Sequence, residues 1–108
     1  MTEQKKYKLV TFVPVTHADV VRDAMGLVGA GVIGNYSFCT FSSIGVGRFK
    51  GGEGSHPSVG TVGKLESVEE ERIETICPEY LVQSVIDAVK KVHPYEEVPF
   101  DIYPILTY

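Results

Sequence analysis

The chain has 108 residues, of which 44% are hydrophobic and 22% are charged. These proportions are ordinary for one globular domain and exclude a disordered chain, a collagen and a coiled coil. The net charge of −4 argues against nucleic acid as a partner, because binding to phosphate backbones depends on clustered cations. No apolar leader or membrane-spanning stretch is expected, and Cys39 and Cys77 are interpreted as small hydrophobic residues of a reduced, cytoplasmic protein.

The first two elements are predicted to be a strand and a helix. Residues 7–15 are rich in β-branched and aromatic types, which is typical of a strand. Thr16 stands three residues before Asp19, as in a capping box at a helix start, and Gly29 is suited to a left-handed helix end. The helix should bury one apolar stripe. Its predicted members are Val20, Val21, Ala24, Leu27 and Val28.

Two further strands are predicted around a segment rich in glycine. Residues 35–44 predict the second strand and residues 65–77 the third, with Arg72 and Ile73 on opposite faces. Between them, residues 45–64 contain seven glycines, and they predict either a long mobile loop or an extended hairpin arm.

The last two elements are a helix and a strand. Pro78 is expected to open the helix, where a missing N–H costs nothing, and Pro94 to stop it. The final strand is predicted from about Val98 to Leu106. The predicted buried face of the helix consists of Leu81, Val82, Val85, Ile86, Val89 and Val92.

The element order β-α-β-β-α-β predicts the fold. It is the order of the α+β, ferredoxin-like split motif, in which a four-stranded antiparallel sheet carries both helices on one face. We expect residues 1–108 to form a single domain, with the glycine-rich loop or hairpin arm at 45–64.

This fold leaves one face of the sheet without helices, and the strands do not alternate cleanly to polar residues. In the first strand, Leu9 and Val13 point one way, while Val10 and Phe12 point the other way. A large exposed apolar face normally marks an interface. We therefore predict sheet-to-sheet packing between subunits; the alternative is that the long loop folds back over the sheet.

Two glycine patterns resemble nucleotide-binding motifs only in their letters. Residues 29–34 match G-x-G-x-x-G, but a helix precedes them and a strand follows, the reverse of what pyrophosphate binding needs. Residues 60–64 resemble the end of a P-loop but lack its first glycine, the hydroxyl residue after Lys64 and the following helix. Neither pattern predicts a nucleotide site.

A small-ligand site is predicted at the start of the glycine-rich segment. Gly45 and Gly47 would let the backbone approach a ligand, Arg48 would contact an anion and Phe49 would pack against it. The alternative is a flexible arm whose Phe49 docks on a neighbouring subunit.

A divalent-metal site is predicted after the second helix. His93, Glu96 and Glu97 lie within five residues and carry ligand atoms for such an ion, with His56 and Cys39 as possible further donors. The alternative is a structural helix-capping turn. No nucleophile, base and orienting group form a recognisable arrangement, so neither catalysis nor a resident cofactor is predicted.

Residues 91–98, with the run His93-Pro94-Tyr95-Glu96, resemble the H-P-Y-E-x-P segment of the CutA proteins of divalent-cation tolerance, although Glu97 adds one residue. A longer match resembles the PII-like, CutA-like insert domain of the NGG-interacting-factor (Nif-three-like) family. It is carried by residues 29–39, 45–49, 57–60, 71–74 and 93–103.

The resemblance implies a PII/CutA-like fold, a homotrimer and, as in PII proteins, effector binding in clefts between subunits near the long loop. Full-length members of the family are dinuclear-metal proteins with hydrolase-like names, whose ligands lie in flanking segments that this stand-alone chain is expected to lack. The leading hypothesis is therefore a non-enzymatic trimeric module that binds a small ligand or a protein partner. The alternative is a copper- or zinc-binding protein of the CutA type.

Overall fold

The computed structural model describes residues 5–106, so the ends of the predicted domain, 1–4 and 107–108, lie outside the described residues. The elements in chain order are β1 (Lys6–Pro14), α1 (Ala18–Val28), β2 (Phe41–Lys50), β3 (Leu65–Pro78), α2 (Val82–Val92) and β4 (Phe100–Ile105). The strands form one antiparallel sheet in the order β2-β3-β1-β4. The predicted α+β, ferredoxin-like fold is confirmed.

The hydrophobic core lies between the sheet and the two helices. Leu9 and Val13 of β1 and Ile73 of β3 are fully buried on the helix side of the sheet. They meet the buried residues of α1 and α2. Those residues are Ala18, Val21, Met25, Val85 and Val89. Full burial of one such aliphatic side chain contributes about 1.5–3 kcal/mol, so this layer is the main source of stability.

Helix α1 follows the prediction at its end and departs from it at its start. Gly29 is the C-cap with a φ of 113°, the left-handed conformation that glycine adopts without strain. The predicted capping box is absent, because Thr16 Oγ1 lies 2.9 Å from His17 Nδ1 and caps no helix N–H.

The buried stripe of α1 is turned relative to the predicted one. Val21 is buried as expected, but Val20 is 46% exposed and Leu27 is 79% exposed. Ala18 and Met25 take their places, at spacings of three and four from Val21. The period was therefore right and the face was wrong, because apolar residues lie on both sides of this helix.

The predicted second strand is wrong in position. Strand β2 is Phe41–Lys50, and within residues 35–40 there is only an isolated bridge from Tyr36 to Ile33. The loop before β2 is held instead by the Gly31 N–H, which donates to the Ile76 carbonyl at 2.7 Å. Glycine-rich residues 45–50 still form a strand, because ladder hydrogen bonds use backbone groups that every non-proline residue carries.

The boundaries around the second helix also differ from the prediction. Pro78 ends β3, where it is paired with Lys6, and does not open the helix. One turn of 3-10 helix, Glu79–Leu81, separates the two elements. Within residues 5–106, neither helix is long and apolar enough to cross a membrane.

The helix-free face of the sheet is partly covered by its own charged side chains. Val10 is fully buried there without a helix above it. Glu74 forms ion pairs with Lys8 at 3.8 Å and with Arg72 at 2.9 Å, and the Arg72 guanidinium lies 5.7 Å from the centre of the Phe12 ring. Charged side chains therefore cover part of this face, while Phe41 and Tyr103 on the same face remain 68% and 44% exposed.

Exposed apolar side chains also occur on a projecting part of the β2–β3 hairpin. Glu70 is the last residue of β3 in register with β1, so residues 45–69 extend beyond the sheet as a two-stranded arm. The molecule measures 53 × 22 × 22 Å as a result. Exposed apolar residues on or beside the arm are Ile44, Val46, Val59, Val62 and Leu65.

Candidate ligand-binding cleft

A cleft of about 610 Å³ lies at the base of the arm, on the helix-free face of the sheet. One wall is the arm, from Gly47 through the turn that contains Pro57 and Val59. The opposite wall is the segment 95–99, which joins α2 to β4. Phe12 and Glu70 form the floor. Two of the three parts of this site are thus separated in sequence by the whole of α2.

Strand alternation places Gly47 and Phe49 toward the cleft. Both lie on the same face of the sheet as Glu70, since side chains two residues apart share a face. A Cβ atom on Gly47 would overlap the Glu70 carboxylate, so a larger residue at this position would displace that side chain. The Phe49 ring lies edge-on to the Tyr95 ring, with centroids 6.1 Å apart. These rings join the two walls at an apolar contact.

Glu70 and Tyr95 form the polar centre of the cleft. Glu70 is only 9% exposed, and its Oε2 accepts a hydrogen bond from the Tyr95 hydroxyl at 2.5 Å. Burial, together with this carboxylate, raises the pKa of Tyr95 above its ordinary value. The tyrosine therefore remains a neutral hydrogen-bond donor at physiological pH.

His93 does not line the cleft but supports the start of the wall formed by segment 95–99. It is 7% exposed, and its Nε2 lies 2.8 Å from the Phe12 carbonyl while its Nδ1 accepts from the Tyr95 N–H at 3.1 Å. Both contacts are satisfied by a neutral ring that carries its proton on Nε2. Burial lowers the pKa of His93, which favours that neutral form. The ring thereby fixes the start of the segment that presents Tyr95.

Glu96 ties the two walls together, and Glu97 lies at the exposed rim. Glu96 Oε2 accepts the His56 N–H of the arm turn at 2.9 Å. Both glutamates line the cleft, whereas the imidazole of His93 has both nitrogens engaged. Within residues 5–106, no group of three His, Cys, Asp or Glu side chains is placed to hold a metal ion. The three predicted metal ligands are therefore not gathered at one point.

The predicted ligand residues divide between the cleft and its surroundings. Gly47 and Phe49 line the cleft, while Gly45 lines a smaller neighbouring depression with Arg72. Arg48 borders the cleft, but alternation places its side chain on the other face of the arm.

Three residues that line the cleft are not marked as site residues by the sequence. The sequence places Phe12 and Glu70 in strands and Tyr95 in the turn after the second helix. The signal for Tyr95 was its place between His93 and Glu96. Phe12 and Glu70 become neighbours only through the register of β1 with β3, in which Phe12 lies opposite Arg72 and Pro14 opposite Glu70.

No known family model matches the chain. Two curated relatives, both called GTP cyclohydrolase 1 type 2 homolog, are similar to it. The protein from Halalkalibacterium halodurans is 55% identical over 96% of this chain and 28% of its own length. The protein from Bacillus subtilis is 51% identical over 91% of this chain and 26% of its own length. The chain thus spans about a quarter of the length of these relatives.

The chain is also similar to solved structures of related proteins. A NIF3-related protein from Bacillus cereus is 53% identical, with a TM-score of 0.85 over 97% of this chain and 27% of its own. CutA from Archaeoglobus fulgidus has a TM-score of 0.68 at 16% identity, over 95% of this chain and 86% of its own. GlnK of B. subtilis, in complex with ATP, has a TM-score of 0.65 at 13% identity, over 97% and 85%. The last two similarities show a shared fold.

Proposed function

This chain is homologous to a PII/CutA-like segment of the NIF3-related proteins, and on that premise we propose that it is a non-enzymatic module that binds a small molecule in the cleft at the base of the arm. One observation carries the proposal. The cleft of about 610 Å³ lies within the usual range for small-molecule sites, about 300–1,000 Å³. It combines aromatic side chains with a few polar groups held in fixed positions, which is the common composition of such sites.

The walls of the cleft are held independently of any ligand. Tyr95 bonds to Glu70 of β3, His93 bonds to the backbone of β1, and Glu96 bonds to the backbone of the arm. Because the walls are already ordered, binding a ligand costs less conformational entropy than it would in a mobile site. This favours binding of a ligand in the cleft.

We propose binding rather than catalysis because His93, beside the cleft, has both ring nitrogens engaged. Relatives carry the name GTP cyclohydrolase 1 type 2 homolog, but this chain covers only about a quarter of them. Both nitrogens of His93 are engaged with backbone groups, so this ring is not free to move a proton to or from a ligand. A test is incubation of the chain with GTP: unchanged nucleotide is expected, and turnover that His93→Gln abolishes would contradict the proposal.

Assembly into a homotrimer is part of the proposal. Ile44 is 69% exposed, Val46 55% and Leu65 67%, all on or at the edge of the projecting arm. Exposed apolar side chains on a projecting element favour contact with another copy.

Light scattering tests this assembly. We expect a mass of about three times 11.9 kDa for the chain at micromolar concentration. Ile44→Glu should dissociate it, since a charge would enter the apolar contact. Val20→Glu, on exposed α1, is the matched control and should leave the mass unchanged. A wild-type monomer would contradict the trimer.

Ligand binding is tested with a pair of phenylalanine variants. Phe49 and Phe41 lie on the same strand and the same face, but only Phe49 lines the cleft. Thermal shift against a panel of nucleotides, organic acids and amines should identify a ligand for the wild type. Phe49→Ala should weaken the affinity for that ligand at least about tenfold, because one buried aromatic contact contributes about 1.5–3 kcal/mol. Phe41→Ala should leave the affinity unchanged. Equal affinity in both variants would place the ligand elsewhere.

A further inference from the structure

The floor of the cleft contains a carboxylate of which only one oxygen accepts a hydrogen bond from the described residues. Glu70 is more than nine-tenths buried, at 9% exposure. Its Oε2 accepts from the Tyr95 hydroxyl, but its Oε1 has no hydrogen-bond donor among residues 5–106. Oε1 lies beside the Gly47 backbone. Solvent reaches it, because no fully buried side-chain oxygen of the described residues lacks a hydrogen-bond partner. A carboxylate held this far inside a protein is ordinarily paired.

No cation of the described chain pairs with Glu70. Arg72, two residues along the same face, bonds to Glu74 at 2.9 Å and stacks on Phe12. Arg48 and Lys50 lie on the other face of the arm by strand alternation. Arg48 and Lys50 border the cleft, together with the acidic Glu96 and Glu97. At the floor of the cleft the charged group is the Glu70 carboxylate, which lies beside the aromatic rings of Phe12 and Tyr95.

We propose that the cleft takes a ligand that carries an organic cation, an ammonium or a guanidinium. This inference rests on the proposed function and names the class of its ligand. The cationic group donates to Glu70 Oε1 in a charge-assisted hydrogen bond. The carbon chain of the ligand packs between Phe12 and Phe49, whose rings also attract a cation. The anion expected from Arg48 in the sequence does not suit this interior.

Two sources can supply this chemistry. One is a free small molecule. The other is Arg48 or Lys50 of a second copy, because the arm carries these exposed cations on the face that points away from its own cleft. Either source neutralises the same carboxylate, so the chemistry is shared and the experiment separates them.

The experiment is calorimetric titration of the whole chain with butylguanidinium, with butylurea as its uncharged counterpart and with ATP as an anion. Wild type should bind butylguanidinium at least about tenfold more tightly than butylurea, since a hydrogen bond to a charged group contributes about 1.5–3 kcal/mol. Glu70→Gln should remove that preference. Glu69→Gln is the control, because it makes the same change of charge one residue away on the other face of the strand. This variant should keep the preference for butylguanidinium over butylurea.

The thermal stability of the same variants gives an independent readout. Glu70→Gln removes a buried charge without a counter-ion, so its melting temperature without ligand should rise above that of wild type. Butylguanidinium should raise the melting temperature of wild type and leave that of Glu70→Gln unchanged. If Glu70 has only a structural role, the melting temperature of Glu70→Gln without ligand should instead fall below that of wild type.

The outcomes separate this inference from the proposed function. Binding of ATP or butylurea in preference to the cation, lost in Phe49→Ala, would overturn the inference and leave the ligand-binding function standing. If the double variant Arg48→Gln, Lys50→Gln binds butylguanidinium in a Glu70-dependent manner and wild type does not, the cation comes from a second copy. If neither protein binds any probe, both the inference and the proposed function are wrong.

Discussion

The body of the molecule and its arm are built on the same sheet but differ in what their side chains contact. In the body, Leu9, Val13 and Ile73 are fully buried against two helices. In the arm, Val46 is 55% exposed and Leu65 is 67% exposed, although backbone hydrogen bonds hold the strands as regularly as in the body. Regular pairing therefore does not by itself indicate packing.

This difference teaches where stability and function reside. The body provides a rigid platform, because close packing fixes the positions of β1 and β3. The arm contributes little core of its own, and its inner face, with Gly47 and Phe49, is shaped around the cleft. The polar groups of the cleft lie at the boundary between the two regions, where Glu70 is the last residue of β3 in register with β1.

The largest effect should come from the body. Leu9→Ala removes a fully buried side chain and leaves a cavity, so the free energy of unfolding should fall by about 2–5 kcal/mol. Val46→Ala, in the arm, should cost no more than about 0.5 kcal/mol in samples dilute enough to be monomeric. Urea unfolding measures both. Equal losses would show that the arm is packed as tightly as the body.

A smaller effect is expected where the arm meets the cleft. A Cβ at Gly47 overlaps the Glu70 carboxylate, whereas a Cβ at Gly45 has no neighbour within 4 Å. Gly47→Ala should therefore lower the free energy of unfolding by about 1–3 kcal/mol through overpacking and displace Glu70. Gly45→Ala should be neutral or slightly stabilising. The prediction is contradicted if both variants unfold at the same urea concentration.

The sequence predicted the body better than the arm. Two helices with apolar spacing and capping signals such as Gly29 are local features, and the order of elements was sufficient to indicate the fold. The position of β2 was missed, because the β-branched and aromatic residues of 35–40 favour a strand, but tertiary contacts of Gly31 hold them as a loop.

The site was predicted in part for a similar reason. Phe49 and Glu96 were found from local motifs, and both line the cleft. Glu70 was not found, because its importance depends on its burial and on Tyr95, 25 residues away. His93 was noticed for its chemistry, but the sequence could not show that the Phe12 carbonyl and the Tyr95 N–H occupy its two nitrogens.

The hydroxyl of Tyr95 links the two regions, and its removal should have a moderate effect. Tyr95→Phe leaves the buried Glu70 without its donor, so the free energy of unfolding should fall by about 1–2 kcal/mol. Tyr80, 72% exposed, provides the control, and Tyr80→Phe should change nothing. In a Glu70→Gln background the loss from Tyr95→Phe should shrink, because no charge is left unpaired. A loss of the same size in that background would show that the hydroxyl does not act through Glu70.

The smallest effect should be a dependence of stability on pH that originates in His93. Burial lowers the pKa of His93 in the folded chain below its unfolded value of about 6.5. The unfolded chain then binds a proton at a higher pH than the folded chain. The stability contributed by neutral His93 is therefore fully present above about pH 6.5 and is lost as the pH falls below that value.

Urea unfolding at pH 7.5 and pH 5.5 measures this dependence. Wild type should lose more stability between the two pH values than His93→Gln, in which the titrating group is absent. His56→Gln is the control, because the exposed His56 contacts Glu96 through its backbone N–H, and it should follow wild type. If His93→Gln keeps the full loss, the acid sensitivity comes from other groups. His93 would then hold the wall of the cleft without making it sensitive to pH.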